Sequence, residues 1–253
     1  MSIKDCAALV EKGDPDRFAA TMAAPVKDRA ALFVLYAFNL EVARAPFAAR
    51  EPMIAEMRVQ WWADILTEAS EGRARKHEVA EPLAALIAGG QLPVATLHRL
   101  IDARRHDCWR EPFADMAALS EYLEDTGAGL MWTAAASLGA PANAEAPVRA
   151  LGWAAAAASY LQALPELEAR GMPLVPGGDS AGLARLGLAR LAEARRARRA
   201  IGAGRSATLA GWQAGPVLAR AAKAAGPEGA PDLQLSEFQR RGRLLWVATT
   251  GRW

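Results

Sequence analysis

At 253 residues the chain is long enough to bury a substantial core, and a 52% apolar content with only 7% aromatics points to helices packed on helices. Alanine and leucine dominate that apolar fraction and β-branched residues are scarce, which disfavours sheets. A net charge of +2 excludes whole-molecule attraction to nucleic acid, and two cysteines, Cys6 and Cys108, make neither a disulfide framework nor a zinc site, as expected for a reducing compartment.

The opening segment MSIKDCAALVEKGDPDRF has no apolar stretch like that of a signal peptide. No run of about 18 uncharged apolar residues follows. The stretch 151–164 comes closest and is too short. The expectation is a cytoplasmic protein, at most peripheral on the inner membrane.

Gly13-Asp14-Pro15-Asp16 predicts a turn, with helix beginning after it. Asp28 is placed to cap the next helix, residues 29 to about 44, whose Leu32, Phe33, Val34, Leu35, Tyr36, Phe38 and Leu40 cover nearly every side. A helix apolar all round is a central one, and Pro46 ends it. Glu51-Pro52 opens a third helix through Met57, Trp61, Trp62, Ile65 and Leu66, closing near Gly72. Further helices are expected at about 80–88, 93–108, 116–138, 145–164, 181–201 and 207–224, and a last one from Ser236 toward Val247. Gly89-Gly90, Gly139-Ala140-Pro141, Gly171-Met172-Pro173 and Gly226-Pro227 separate them. No period-2 stretch, low-complexity linker or internal repeat interrupts this pattern, so a single all-α domain over residues 1–253 is the reading.

Several polar clusters have ordinary explanations. Trp61 and Trp62 point about 100° apart on a helix, so at least one belongs to the core. Arg58 beside them suits an ion pair with Glu51 or Asp64, or a phosphate. Asp102, Arg104, Arg105, His106, Asp107 and Arg110 are spaced for pairing within one or two turns, Asp107 with Arg104 or Arg110. His106 has no nucleophile or metal partner in the pattern, and His77 and His98 are isolated. Arg185, Arg190, Arg195, Arg196, Arg198 and Arg199 are opposed by Glu193 alone. Such a run is a solvated face or, through Arg195, Arg196, Arg198 and Arg199, a surface for anionic lipid headgroups.

Read in order, Arg29-x-x-Leu32-x-x-Leu35-Tyr36-Ala37-Phe38, Arg58-Val59-Gln60-Trp61-Trp62, Asp107 ahead of Tyr122, Thr126-Gly127-x-Gly129, the small-residue helix at Gly152, Leu174-Val175-Pro176 and Arg243-Leu244-Leu245-Trp246 resemble the squalene/phytoene synthase family over most of the chain. The resemblance implies an isoprenoid-synthase-type helical bundle with a central cleft. Its active members join two prenyl diphosphates head to head, with magnesium held by two aspartate-rich motifs. In register with those motifs, the acidic positions here are Ala43, Arg44 and Phe47 in the first and Ala163 and Leu167 in the second. Positions four apart share a helical face, so 43 with 47 and 163 with 167 would form opposite walls carrying no carboxylate. Pro165 between the latter two should bend or stop its wall. Glu41 points about 160° away from position 43, and Glu166 and Glu168 face different sides.

The resemblance therefore implies no catalytic residue and no metal, and a protein similar to the family's non-catalytic branch, the respiratory complex I assembly factors. Its expected partners are a membrane-complex subunit or assembly partner and a prenyl-like apolar ligand, the latter lying among Phe33, Tyr36, Phe47, Arg58, Trp61, Tyr160 and Leu164. The competing reading is an active prenyltransferase with displaced magnesium ligands. A peripheral membrane scaffold acting through the arginine-rich helix is a third.

Overall fold

The computed structural model describes residues 3–90, 92–172, 174–223 and 232–253. Among the described residues the regular elements are all helical, without a strand. The expected breakers at Pro173 and at Gly226-Pro227 lie outside the described residues. Thirteen α-helices are described: α1 (Ile3–Gly13), α2 (Pro15–Ala23), α3 (Val26–Arg44), α4 (Pro52–Ser70), α5 (Ala80–Ala88), α6 (Val94–Arg104), α7 (His106–Trp109), α8 (Met116–Leu123), α9 (Gly129–Ser137), α10 (Glu145–Ala169), α11 (Ser180–Ala197), α12 (Ala214–Lys223) and α13 (Glu237–Thr250).

The turn at Gly13 separates two helices and does not precede the first. α1 packs Cys6 and Val10, four apart on one face, against α3. Asp14 then caps α2, its carboxylate accepting the Arg17 backbone N–H at 2.9 Å, with Pro15 in the first turn. Asp28 does not cap α3, which starts earlier, after Pro25. Its carboxylate instead accepts a hydrogen bond from the Ser206 hydroxyl at 2.5 Å.

α3 is central, as its composition requires. Every residue from Leu32 to Leu40 is buried, and the helix touches α1, α2, α5, α6 and α9. With its 3-10 extension, Val26–Phe47 is also long and apolar enough to cross a membrane, which corrects the choice of 151–164 as the most apolar stretch. Two-thirds of its most apolar 18-residue window is buried in the bundle, 67%, as in the core helix of a folded domain.

The expected 93–108 helix divides into α6 and α7, and 116–138 divides at a π-helical turn, Glu124–Ala128, between α8 and α9. The arginine-rich helix gives way after Ala197 to a 3-10 stretch, Arg198–Gly211, kinked at Gly202 (φ 56, ψ −126), a conformation that only glycine adopts readily. α10 continues through Pro165 to Ala169, so the wall does not stop there. Proline deletes one intrahelical bond, but Val148 to Leu161 already anchor the helix in the core. The end closes locally: Met172 N–H donates to Leu167 C=O at 2.9 Å, after Gly171 turns left-handed at φ 64.

α10 packs against α9, α11, α12 and the π turn. The contact with the π turn is backbone on backbone. A Cβ on Gly152 would stand 2.8 Å from Ala128 Cα and 2.9 Å from Met131 Cβ, and one on Gly127 would stand 2.2 Å from Ala156 Cβ. Gly152→Val should therefore force the helices apart and cost about 1–3 kcal/mol of stability, read as a lower urea midpoint. Gly242→Ala, at a position of α13 open to solvent, should not lower the midpoint and should raise it slightly, because alanine is the better helix former.

Candidate functional site

A cleft of about 390 Å³ opens between α2, α3, α8 with its π turn, α10 and the start of α12. That volume suits a small organic ligand or a segment of a longer chain. Tyr36, Asn39, Leu40 and Ala43 descend one wall from α3, and Gly152, Ala156, Ser159, Tyr160 and Ala163 line the other from α10. Thr126 and Gly127 of the π turn form part of the floor, a common use of π-helical turns.

One side of the cleft holds a charged network. Arg104 donates to Asp107 at 3.0 Å and to the Tyr122 hydroxyl at 2.5 Å, while Tyr122 donates to Asp107 at 2.9–3.0 Å. The Arg104 guanidinium also lies 5.4 Å from the Tyr122 ring centroid. Burial pushes the Tyr122 hydroxyl well above its ordinary range; Arg104 opposes that rise and Asp107 adds to it. Burial pulls Arg104 down, but Tyr122 and Asp107 more than offset it, so the guanidinium stays charged. Tyr160 is likewise pushed up, by burial first and Asp107 second. The network is a neutral phenol between a fixed cation and a carboxylate. Phe113 and His106 stack behind it, with ring centroids 4.3 Å apart.

Two atoms in this lining have no hydrogen-bond partner among the described residues, Asn39 Oδ1 and Arg104 Nε. Farther along the cleft, Asp14 is paired with Arg17 at 2.8 Å, and Asp16 accepts from Gln213 at 2.7 Å and from Arg240. Arg17 lies over the Tyr36 ring at 5.6 Å. Burial raises the Tyr36 hydroxyl to about 12.

Of the five motif positions, Ala43, Phe47, Ala163 and Leu167 face one another across the cleft, while Arg44 turns outward. Instead of opposing carboxylates the mouth has a contact between its walls, the Arg170 guanidinium 5.3 Å from the Phe47 ring centroid. Glu166, beside Leu167, is held by Arg170 at 2.5 Å. Among the described residues no three His, Cys, Asp or Glu side chains gather closely enough to hold a metal ion.

The structure brings Tyr36, Phe47 and Tyr160 into the cleft lining but not Phe33, Arg58, Trp61 or Leu164. Phe33 is turned inward against Phe18, with centroids 5.6 Å apart, and Leu164 packs on the core. Arg58 and Trp61 line a separate open groove between α4 and the Ala45–Phe47 turn, with Glu41 and Arg44. There Arg58 is exposed and, among the described residues, pairs with neither Glu51 nor Asp64; Asp64 accepts from Gln60 instead, at 2.7 Å. Trp62 is the tryptophan that enters the core, edge-on to Phe38. The Asp107–Arg104 pair forms as its spacing predicts.

Sequence reasoning passed over Asn39 and the Arg104–Asp107–Tyr122 network as ligand-facing groups. The available signal was a polar residue inside an all-apolar helix. On the arginine-rich surface Arg195, Arg196 and Arg199 are exposed and Arg198 is half-buried, and Arg195 donates to the Trp253 carbonyl at 2.8 Å.

The squalene/phytoene synthase family model matches residues 10–226. The NADH dehydrogenase (ubiquinone) complex I, assembly factor 6 homolog of Drosophila melanogaster is 31% identical over 183 residues, 68% of this chain and 54% of that protein. The assembly factor 6 of Homo sapiens is 25% identical over 134 residues, 53% of this chain and 40% of that one. The chain thus spans about half the length of the curated relatives it matches. Among solved structures, a dehydrosqualene synthase in complex with ligand superposes with a TM-score of 0.81 at 14% identity, covering 98% of this chain and 95% of that one. A squalene synthase from Alicyclobacillus acidocaldarius gives 0.62 at 21% identity, covering 99% and 93%. At those identities the solved structures establish the fold.

Asp107→Ala should strand a charged Arg104 in the cleft wall and cost about 3 kcal/mol in chemical denaturation, more than Tyr122→Phe, which leaves the ion pair intact. The raised Tyr36 hydroxyl sets a pH dependence. Its folded pKa of about 12 exceeds the ordinary 10.0, so its contribution is complete below pH 10 and lost as pH climbs toward 12. Tyr36→Phe should flatten that alkaline fall by up to about 3 kcal/mol, measured by urea unfolding from pH 9 to 12.

Proposed function

The chain belongs to the squalene/phytoene synthase family, and from that premise we propose a member that no longer catalyses, a ligand- or partner-binding factor in the assembly of respiratory complex I. The observation that carries this reading is the chemistry of the cleft mouth. Magnesium takes hard oxygen ligands in near-octahedral geometry, and Ala43, Phe47, Ala163 and Leu167 offer none. Glu166 is engaged by Arg170, whose positive charge would repel a divalent ion at the same place. This donor set does not fit magnesium, and we route no step through it.

The names of the relatives support the second half of the proposal. Proteins called complex I assembly factor 6 from Drosophila melanogaster and Homo sapiens match this chain in sequence. The place of action is then peripheral, at the membrane that holds the complex. In the cleft, the stretch between Tyr36, Phe47 and Tyr160 offers an apolar ligand space.

Calorimetry with magnesium and a non-hydrolysable prenyl diphosphate should show no metal-dependent binding, and radiolabelled prenyl diphosphates should not be turned over. Turnover abolished by a chelator would make the protein a prenyltransferase and sink the proposal. Deletion in the source cell should lower NADH-linked respiration and leave isoprenoid content unchanged; the opposite pattern would count equally against it.

A further inference from the structure

The outer face of α13 inverts the usual arrangement of a surface helix. Phe238, Leu245 and Trp246 are 88%, 67% and 49% exposed, among the most exposed large apolar side chains of the protein. At 100° per residue these three, with Gly242 and Thr249, fall within an arc of about 100°. Val247, the one fully buried residue of the helix, lies opposite. The anchored side is mixed: Val247 is buried in the core with Leu244 and Ala248 packed against it, while Arg240 pairs with Asp16 and Arg243 donates to the Trp212 carbonyl at 3.3 Å. The helix is therefore already seated on the body by its inner face, and Phe238, Leu245 and Trp246 form a second apolar face that points outward. An exposed apolar stripe of this kind marks an interaction surface.

Charge indicates what covers it. Residues 194–253 contain eleven Arg and Lys against three Asp and Glu, a local excess of +8 in a chain of +2 overall. Arg241 flanks the stripe at 85% side-chain exposure, with a 3.7 Å contact to Glu237. Arg195, which donates to the Trp253 carbonyl, and Arg205, whose guanidinium lies against Gly251, add charge at the C-terminal end of the helix. The stripe stands outside both the cleft and the α4 groove.

We propose that α13 is an interfacial helix that seats the protein on an anionic lipid bilayer, with Phe238, Leu245 and Trp246 entering the headgroup boundary and Arg241 among the phosphates. An exposed apolar stripe with aromatic residues and a flanking arginine suits a yielding, negatively charged surface. The inference is independent of what the cleft holds, and it moves the lipid contact from Arg195–Arg199 to the last helix.

The test is sedimentation of the full chain with vesicles of phosphatidylcholine alone or with 30% phosphatidylglycerol. Binding should be confined largely to the anionic vesicles and weaken with added salt. Phe238→Ser/Leu245→Ser/Trp246→Ser should lower the partition coefficient at least tenfold with an unchanged circular dichroism spectrum. Should that variant fail to fold, Arg241→Glu, on an exposed side chain, should still lower binding to anionic vesicles severalfold. Absence of binding to both vesicle types, or binding that neither variant alters, overturns the proposal. So does a dimer, seen by light scattering, that the triple variant dissociates, because the stripe would then belong to a second copy.

Discussion

The near-contact of backbones between α10 and the π-helical turn is the constraint on which the rest of the structure depends. Gly152 against Ala128 and Gly127 against Ala156 leave no room for larger side chains, so the two segments meet at the deep end of the cleft and diverge toward its mouth. Small residues along α10 keep that wall thin and let α11 and α12 pack behind it. The cleft is thus held by packing, and it persists whatever side chains stand at its rim.

This separation explains how a family scaffold can survive the replacement of its rim chemistry. Aspartates facing one another across an opening repel, and bound cations are what reconcile them. Here the first wall presents an aromatic ring, the second a guanidinium, and Phe47 and Arg170 meet directly. The charges that remain inside are matched locally: Asp107 with Arg104 and Tyr122, Asp14 with Arg17, Asp16 with Gln213 and Arg240. A low-dielectric cleft wall tolerates such sets only when they are nearly closed, and Asn39 Oδ1 and Arg104 Nε are buried there without a hydrogen-bond partner among the described residues. The outer surface follows a different logic, because α13 is seated by Val247, Leu244 and the Arg240–Asp16 pair on its inner side and leaves further aromatic and aliphatic groups facing outward.

The helical class and the central position of α3 were legible in the sequence, each by a rule that needs no partner. Nine consecutive buried residues follow from an apolar run with no polar face. Positions 43 and 47, or 163 and 167, share a face by helical periodicity alone. Where reasoning along the chain failed, the deciding partner was distant. Phe33 left the ligand space for Phe18, and Pro165 was tolerated because α10 is anchored elsewhere.

By itself, then, the sequence determined that the chain is helical and that residues 43, 47, 163 and 167 carry no side-chain oxygen, because composition, periodicity and residue identity are local properties. Tertiary structure alone decided that Arg170 crosses to Phe47, that Arg104, Asp107 and Tyr122 form one network in the cleft wall, and that the apolar face of the last helix is left uncovered. Each of these depends on which helices meet, and close packing settles that over the whole molecule at once.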